Sequence, residues 1–450
     1  MLVTNRSSLS FNHHHHNHLS NRRTIEPRLG RTIFSSSFAD TSGSSENESV
    51  MVENCRVEKN LVLFVFGFGY SAIGIANELM KKNTNKTRND HSTNWSVYGT
   101  SRSAEKAEVL RTKGFNCFKW SNCPIDEDDD DEERTLTEEL AQALLRANYV
   151  LVTCPPNGDL DRDPVLSTKA VMNVLNANAD VQVLYLSSTG VYGGRKGEWV
   201  CELTEPKPDS IVGQRRFDAE EQWRKWAMDG NNENSIGDGD KSGVGVDGIE
   251  AENKKKKNGI NNNSNNRIRR RRKLKIFRLG GIYGPSRSAI DISQKRERER
   301  LQIMKETPRD DKDAEEVKLS PSQISRQRKK FTSRIHVCDV ARAIVASIER
   351  SELISNKEED DEIVTIYNVV DDYPSSREEA VDFAAELLGY RKKLDNNDAN
   401  GDDDLITPPS LEEKRVKNDK VKKELNFSLK FPTFKHGLSA IHGNDQSPFD

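Results

Sequence analysis

The chain reads as an α/β protein: a doubly wound parallel sheet with helices on both faces and a small lobe near its C-terminal end. Two observations carry this reading. First, short and almost wholly apolar runs recur at Leu61–Phe66, Tyr149–Val152, Val181–Leu186 and Ile363–Val370, bounded in several cases by Gly, Pro or hydroxyl residues, and Lys273–Leu279 returns to the same sheet. Strands covered on both faces read as continuous apolar runs, whereas half-solvated strands alternate. Second, segments with helical periodicity, among them a crossover helix expected over Asp163–Asn176, separate several of these runs, and such alternation specifies a parallel sheet.

Composition explains why so ordered a pattern sits in so polar a chain. Of 450 residues, 34 % are hydrophobic and 31 % charged, and the mean hydropathy is −0.80. The 69 basic and 72 acidic residues nearly cancel, leaving a net charge of −3. A surface of one sign throughout is therefore excluded. No run approaches the roughly 18 apolar residues that a membrane helix requires, so no membrane partner is expected. The polarity is concentrated in Asp126–Glu133, Asp229–Asn266 with Arg269–Arg272 beyond it, Gln294–Lys330, Asn356–Glu362 and Asp395–Asp404. Such tracts bury too little apolar surface to offset chain entropy and read as solvated loops or disorder. The resulting organisation is a presequence over 1–55 and a main domain over 59–285 with an insertion at 229–272. A mixed segment over 286–445 completes the fold and forms the lobe, with a second insertion at 294–330, and its alternating charges over Glu412–Leu425 read as a surface helix.

The first 39 residues carry Arg6, Arg22, Arg23, Arg28 and Arg31, many serines and one acid, Glu26. That composition is that of an organelle transit peptide. The Ser35–Ala39 stretch favours the chloroplast, with the mitochondrion as the alternative. The histidines at His13–His16 and His18 lack Cys or Asp partners and read as part of this presequence, so no metal site is expected. The six cysteines show neither CxxC nor zinc spacing and read as reduced thiols.

The main chemical signal is Gly67-Phe68-Gly69-Tyr70-Ser71-Ala72, placed between the first apolar run and an Ala/Leu-rich helix. Gly67 permits a tight turn, Gly69 lets backbone approach a pyrophosphate, and Ala72 is small enough for helix and strand to lie close. The helix N-terminus adds unpaired N–H groups and partial positive charge. This Rossmann-type arrangement predicts a dinucleotide site in the 59–285 domain.

After the second strand, an NAD site would place an acid against the ribose 2′-hydroxyl. Here stand Thr100, Ser101 and Arg102. A guanidinium pairs with a 2′-phosphate where a carboxylate would repel it, so NADP is expected over NAD. Further along, Thr153 and the double proline Pro155-Pro156 end the third apolar run and should pass near the cofactor. The fourth delivers Ser187 and Ser188 into a turn that holds Tyr192.

These motifs carry a resemblance. The glycine turn, Ser188 with Val191-Tyr192-Gly193, Phe277-Arg278-Leu279 leading to Tyr283-Gly284-Pro285, and Arg334-Ile335-His336 followed by Asp339 recur in this order in the NAD-dependent epimerase/dehydratase family, the extended short-chain dehydrogenases/reductases. Pro155-Pro156, Gly213-Gln214-Arg215-Arg216 and Phe431–Gly437 further resemble an atypical branch that includes bacterial YeeZ-type proteins and plant relatives. The resemblance implies a Rossmann domain, a nicotinamide cofactor and a small substrate lobe. It also implies a catalytic hydroxyl at Ser188.

One departure matters. The family's Tyr and Lys fall at Val212 and Arg216. Valine exchanges no proton, and arginine remains charged, so Arg216 can hold ribose, phosphate or carboxylate but scarcely act as a base. Tyr192 is the substitute acid to consider, with Tyr283 second. Aromatic packing is the competing reading for each. His336 is expected to close a short strand and Asp339 to cap the helix after it.

Two function classes follow. One is an NADP-dependent oxidoreductase or isomerase for a small carbonyl or sugar-like metabolite. The other is a nucleotide-binding protein without turnover, a regulator or an RNA-binding chloroplast factor. Lys254–Lys257 and Arg269–Arg272 could contact RNA phosphates, but they lack interleaved aromatics to stack bases and read first as a solvated loop.

Overall fold

The computed structural model describes residues 59–84, 93–120, 136–156, 162–178, 180–229, 272–306, 329–354, 362–390 and 413–450, within a unit spanning Arg56–Asp450. The presequence, the acidic run at Asp126–Glu133, the basic runs at Lys254–Lys257 and Arg269–Arg271, and Asp395–Asp404 lie outside the described residues.

The first half alternates strand and helix: β1 Lys59–Phe66, α1 Tyr70–Thr84, β2 Thr93–Ser101, α2 Ala104–Thr112, β3 Asn116–Lys119, α3 Glu138–Leu145, β4 Tyr149–Val152, α4 Lys169–Ala177 and β5 Gln182–Ser188. A short 3₁₀ turn, Thr189–Tyr192, leads to β6 Trp199–Val200 and α5 Ile211–Asp229. The second half holds β7 Lys273–Leu279, β8 Gly281–Tyr283, α6 Ala289–Glu306, β9 Arg334–His336, α7 Val337–Ile354, β10 Val364–Val369 and α8 Arg377–Leu387. It closes with β11 Arg415–Val416, α9 Asp419–Glu424 and α10 Phe434–His442.

Seven strands form one parallel sheet in the order β10-β7-β5-β4-β1-β2-β3. The order reverses between β1 and β4, where Phe66 pairs with Val152. Such a switch point opens a crevice at the carboxyl ends of the strands. Alternation along β1 shows why both faces need covering. Leu63 and Val65 pack with residues of α1, α2 and α7 on one face, and Phe64 and Phe66 with Leu140, Leu144 and Trp223 on the other.

Local chemistry starts several helices. Ser103, Thr137 and Ser376 accept hydrogen bonds from the N–H groups of Lys106, Leu140 and Glu379, and acids occupy each first turn. Side-chain caps and N-terminal carboxylates satisfy and complement exposed N–H groups. Past α8, Gly389 takes φ +69°, the left-handed conformation that ends a helix.

The structure corrects three expectations. Gln294–Glu306 is the continuation of α6, since its Arg/Glu sequence supports a solvated helix as readily as a loop. The crossover expected over Asp163–Asn176 is a turn as far as Thr168, held by Asp163 Oδ1 accepting from the N–H groups of Val165 and Leu166, with the helix following. The surface helix expected over Glu412–Leu425 is strand β11, which pairs with β6, and then the short α9. Beyond the sheet, β8, α6, α8 and α10 pack around Tyr283, Ile290, Ala380, Ala384, Phe434 and Leu438.

Candidate functional site: a nucleotide crevice

Gly67 ends β1 with φ +86°, a conformation that strains any residue with a Cβ. Space forbids a side chain as well: a Cβ there would lie 3.0 Å from the Cys154 nitrogen and 3.1 Å from Thr153 Oγ1. Two bonds hold the turn against β2, Gly67 N–H to Thr100 Oγ1 at 3.1 Å and Phe68 N–H to the Thr100 carbonyl at 2.7 Å. Thr153 Oγ1 donates to the Gly67 carbonyl. At Gly69 a Cβ would meet nothing nearer than the Gly67 carbonyl oxygen at 3.7 Å, so a side chain there would project into open space above the turn.

Gly69 N–H donates to the Gly67 carbonyl at 2.6 Å; helix α1 starts at Tyr70, and its Ile73 N–H donates back to the Gly69 carbonyl at 2.9 Å. The N–H groups of Tyr70, Ser71 and Ala72 precede that ladder and face the turn as a helix N-terminus does. Ala72 is fully buried. A glycine cradle, an open position at Gly69 and free helical N–H groups fit a pyrophosphate.

The side chains of two motif residues point elsewhere. The Phe68 ring is buried against Phe115, 5.0 Å between centroids, and over Gly99, whose absent Cβ would sit 2.4 Å from the ring. Tyr70 donates its hydroxyl to the Pro285 carbonyl at 2.9 Å, and its ring lies 4.9 Å from Phe449. Their backbones, not their side chains, face the turn. Pro448 completes this packing: its carbonyl accepts from Asn77 Nδ2 at 2.9 Å, and its ring fills the space of a Cβ at Gly74.

At the end of β2, Ser101 is buried, while Arg102 is exposed and forms no ion pair among the described residues. The cap of α2 is Ser103, which leaves Arg102 uncommitted. At the end of β4, Thr153 is half-buried and Pro155 exposed. Burial pushes the Cys154 thiol upward, and burial also raises the Asp163 carboxyl to about 6.

The end of β5 separates its two serines. Ser188 Oγ accepts from Gly190 N–H at 3.0 Å and stays half-buried at the crevice. Ser187 points to the other face, where Oγ donates to Glu220 Oε1 at 2.5 Å. Tyr192 is fully buried: its hydroxyl donates to Asn368 Oδ1 at 2.8 Å and Arg278 lies 4.8 Å over its ring. Burial holds its phenol above the ordinary value. Val212, where the sequence resemblance puts a tyrosine, is 71 % exposed. Arg216 Nη1 donates to the Leu186 carbonyl at 3.0 Å and to the Tyr185 hydroxyl at 3.3 Å, so its guanidinium lies along the end of β5.

The remaining candidates are interior. The Tyr283 hydroxyl sits against Gly437, where a Cβ would lie 2.2 Å away. His336 closes β9, its ring packed on Phe431 at 4.2 Å, and burial lowers it to about 4. Asp339 does not cap α7. It accepts from the N–H groups of Lys430 and Phe431 at 2.7 and 2.9 Å and pairs with Arg342, which fastens α7 to the C-terminal segment.

Glu220, Arg278 and Asn368 were not among the expected residues. Arg278 Nη2 lies 2.6 Å from Glu220 Oε2, with both side chains buried. Part of a signal existed: Glu220 shares a buried helical stripe with Ala219, Trp223 and Ala227, whereas Arg278 is one of three basic residues in β7 and its sequence does not single it out.

No family model and no curated protein matches the chain. Solved structures do. A functionally unknown conserved protein from Silicibacter pomeroyi is 24 % identical over 86 % of this chain and 99 % of its own, with a TM-score of 0.51. A dTDP-glucose 4,6-dehydratase from Bacillus anthracis, solved with NAD, is 13 % identical over 85 % and 96 %, also at 0.51. A UDP-glucuronic acid 4-epimerase mutant from Bacillus cereus, solved with UDP-4-deoxy-4-fluoro-glucuronic acid and NAD, is 15 % identical over 85 % and 98 %, at 0.50. The chain therefore has the Rossmann-type α/β fold found in NAD-dependent dehydratase and epimerase structures.

Proposed function

We propose that this protein binds a nicotinamide dinucleotide, NADP in preference to NAD, and acts as an oxidoreductase or epimerase-like enzyme on a small carbonyl or sugar-like metabolite. It would belong to the atypical branch of the extended short-chain dehydrogenases that lacks the usual Tyr/Lys pair, and the presequence composition supports import into the chloroplast. The observation that carries the proposal is the Gly67–Ala72 turn, cradled by Thr100 and Thr153 at the switch point of the sheet.

The cofactor, when bound, supplies or accepts hydride. This chain's residues supply the rest. The N–H groups at Tyr70–Ala72 hold the pyrophosphate, and Arg102, exposed beyond β2, pairs with a 2′-phosphate. Ser188 presents its hydroxyl to the reacting carbonyl or alcohol. Tyr192 spends its proton on Asn368, so proton exchange falls to a water beside Ser188, where exposed Val212 leaves room.

Val212 supports a second reading, a cofactor-binding regulator without turnover. Calorimetric titration with NADPH and NADH, before and after Arg102→Asp, separates these ideas. Wild-type protein should bind NADPH at least about tenfold more tightly, as one or two charge-assisted bonds provide. Arg102→Asp should abolish that preference. Absence of heat with either nucleotide would overturn both readings. Binding without hydride exchange on any carbonyl substrate would leave the regulator.

A further inference from the structure

Residues 445–450, beyond α10, lie along α1, the helix whose N-terminus meets the glycine turn. Three contacts seat them. Asn77 Nδ2 donates to the Pro448 carbonyl at 2.9 Å, the Phe449 ring lies 4.9 Å from that of Tyr70, and Lys81 Nζ lies 3.3 Å from Asp450 Oδ1. The segment also holds itself in shape: Ser447 N–H donates to Asp445 Oδ1 and Phe449 N–H to the Gln446 carbonyl, each at 2.8 Å. Lys430 ties it to the fold. Its Nζ lies 3.0 Å from Asp445 Oδ2 and 2.9 Å from Ser447 Oγ, while its N–H donates to Asp339 of α7. The exposed Lys81 pair adds little, so the apolar seat carries the contact.

That seat is cut into α1 itself. Gly74 stands inside the helix, where glycine is unfavourable. A Cβ there would lie 2.6 Å from Pro448 Cγ, an atom of a closed ring that cannot rotate aside. Pro448 is buried in the space the missing side chain leaves.

Tyr70 carries the contact across to the lobe. It is the first residue of α1 and follows the glycine turn directly. Its hydroxyl donates to the Pro285 carbonyl at 2.9 Å, Arg287 stands 5.6 Å over its ring, and a Cβ at Gly284 would come within 2.6 Å of its oxygen. Gly284 and Arg287 exchange backbone bonds at 3.0 and 3.1 Å, which close this loop between β8 and α6. One ring is thus held between Phe449 and the 284–287 loop, and the backbone that bears it opens the helix above the turn.

We propose that Pro448 and Phe449 are positioning residues for the nucleotide: by clamping Tyr70 and α1 against the 284–287 loop, they keep the N–H groups of Tyr70, Ser71 and Ala72 in the arrangement that receives a pyrophosphate. This rests on the function proposed above for the identity of the ligand, and adds to it a segment outside the crevice. A site that spends only part of its time in the competent form loses affinity by that fraction. Loosening the clamp therefore weakens binding without removing any group that holds the ligand.

The test compares the full chain with Phe449→Ala, Phe449→Tyr and Gly74→Ala, by amide hydrogen exchange with mass spectrometry and by fluorescence titration with NADPH. Gly74→Ala acts from the opposite side, since alanine favours the helix yet displaces Pro448. Phe449→Ala and Gly74→Ala should each speed exchange several-fold at residues 73–77 and at Gly284 and Arg287, and leave β10 unchanged. Both should weaken NADPH about three- to tenfold, the range that an aromatic contact spans. Phe449→Tyr keeps the ring and should stay within about twofold of wild type. Exchange that rises uniformly, or not at all, would overturn the proposal, and so would local loosening with NADPH affinity intact. Wild-type protein that binds no pyridine nucleotide refutes the proposed function instead, and the exchange pattern alone then decides whether residues 445–450 hold the turn.

Discussion

Arg278 on β7 and Glu220 on α5 meet at 2.6 Å in the interior, and Ser187 of β5 donates to the same carboxylate. Helix and two strands are thus joined by one buried charge pair directly behind the crevice. Removing one partner strands the other charge in a medium that cannot solvate it. Arg278→Met should therefore destabilise the fold by about 3–5 kcal/mol, while Arg278→Met with Glu220→Leu should cost much less. Urea unfolding curves of the two variants check this, and equal losses would contradict it.

Tyr192 offers a contrast between structural and catalytic roles. Tyr192→Phe leaves the Asn368 acceptor without its donor, at a cost of about 1–3 kcal/mol. The expected outcome is a lower unfolding midpoint with NADPH affinity retained. Turnover that vanishes in a fully folded Tyr192→Phe protein would restore the phenol as the acid.

Gly67→Ala should do the opposite. A positive φ and the Cys154 nitrogen at 3.0 Å impose strain of about 1–3 kcal/mol, and relieving it displaces the N–H groups of α1. NADPH fluorescence titration should show affinity lost by an order of magnitude or more, with the melting temperature lowered only modestly.

Asp371 gives the fold a dependence on pH. Its Oδ2 has no hydrogen-bond partner among the described residues, and burial pushes the carboxyl up to about 8. The folded state therefore keeps a proton that the unfolded chain releases above its ordinary value near 4. Stability from this group is complete below that value and is lost as pH rises toward 8. Asp371→Asn should flatten the decline of the unfolding midpoint between pH 5 and 8. A slope unchanged by the substitution would show that Asp371 does not cause it.

The glycine turn was legible because its meaning is local: Gly67 needs a positive φ, Gly69 an open side, Ala72 a small volume, and each requirement falls on a single residue. The strands were legible for a related reason, since burial on both faces leaves an apolar run. Polar runs misled for the converse reason. Arg/Glu-rich sequence fits a solvated helix such as the second half of α6 as well as a loop, and only its packing partners decide.

The amino-acid sequence by itself determined the parallel α/β architecture and the glycine turn at Gly67–Ala72. Tertiary structure alone decided which hydroxyls and charges reach the crevice. It turned Ser187 inward to Glu220 while Ser188 faced out, and closed Tyr192 onto Asn368. The physical reason is one of range. Backbone conformation and burial are written in neighbouring residues, whereas the partner of a polar group is fixed only when strands distant in sequence pack together.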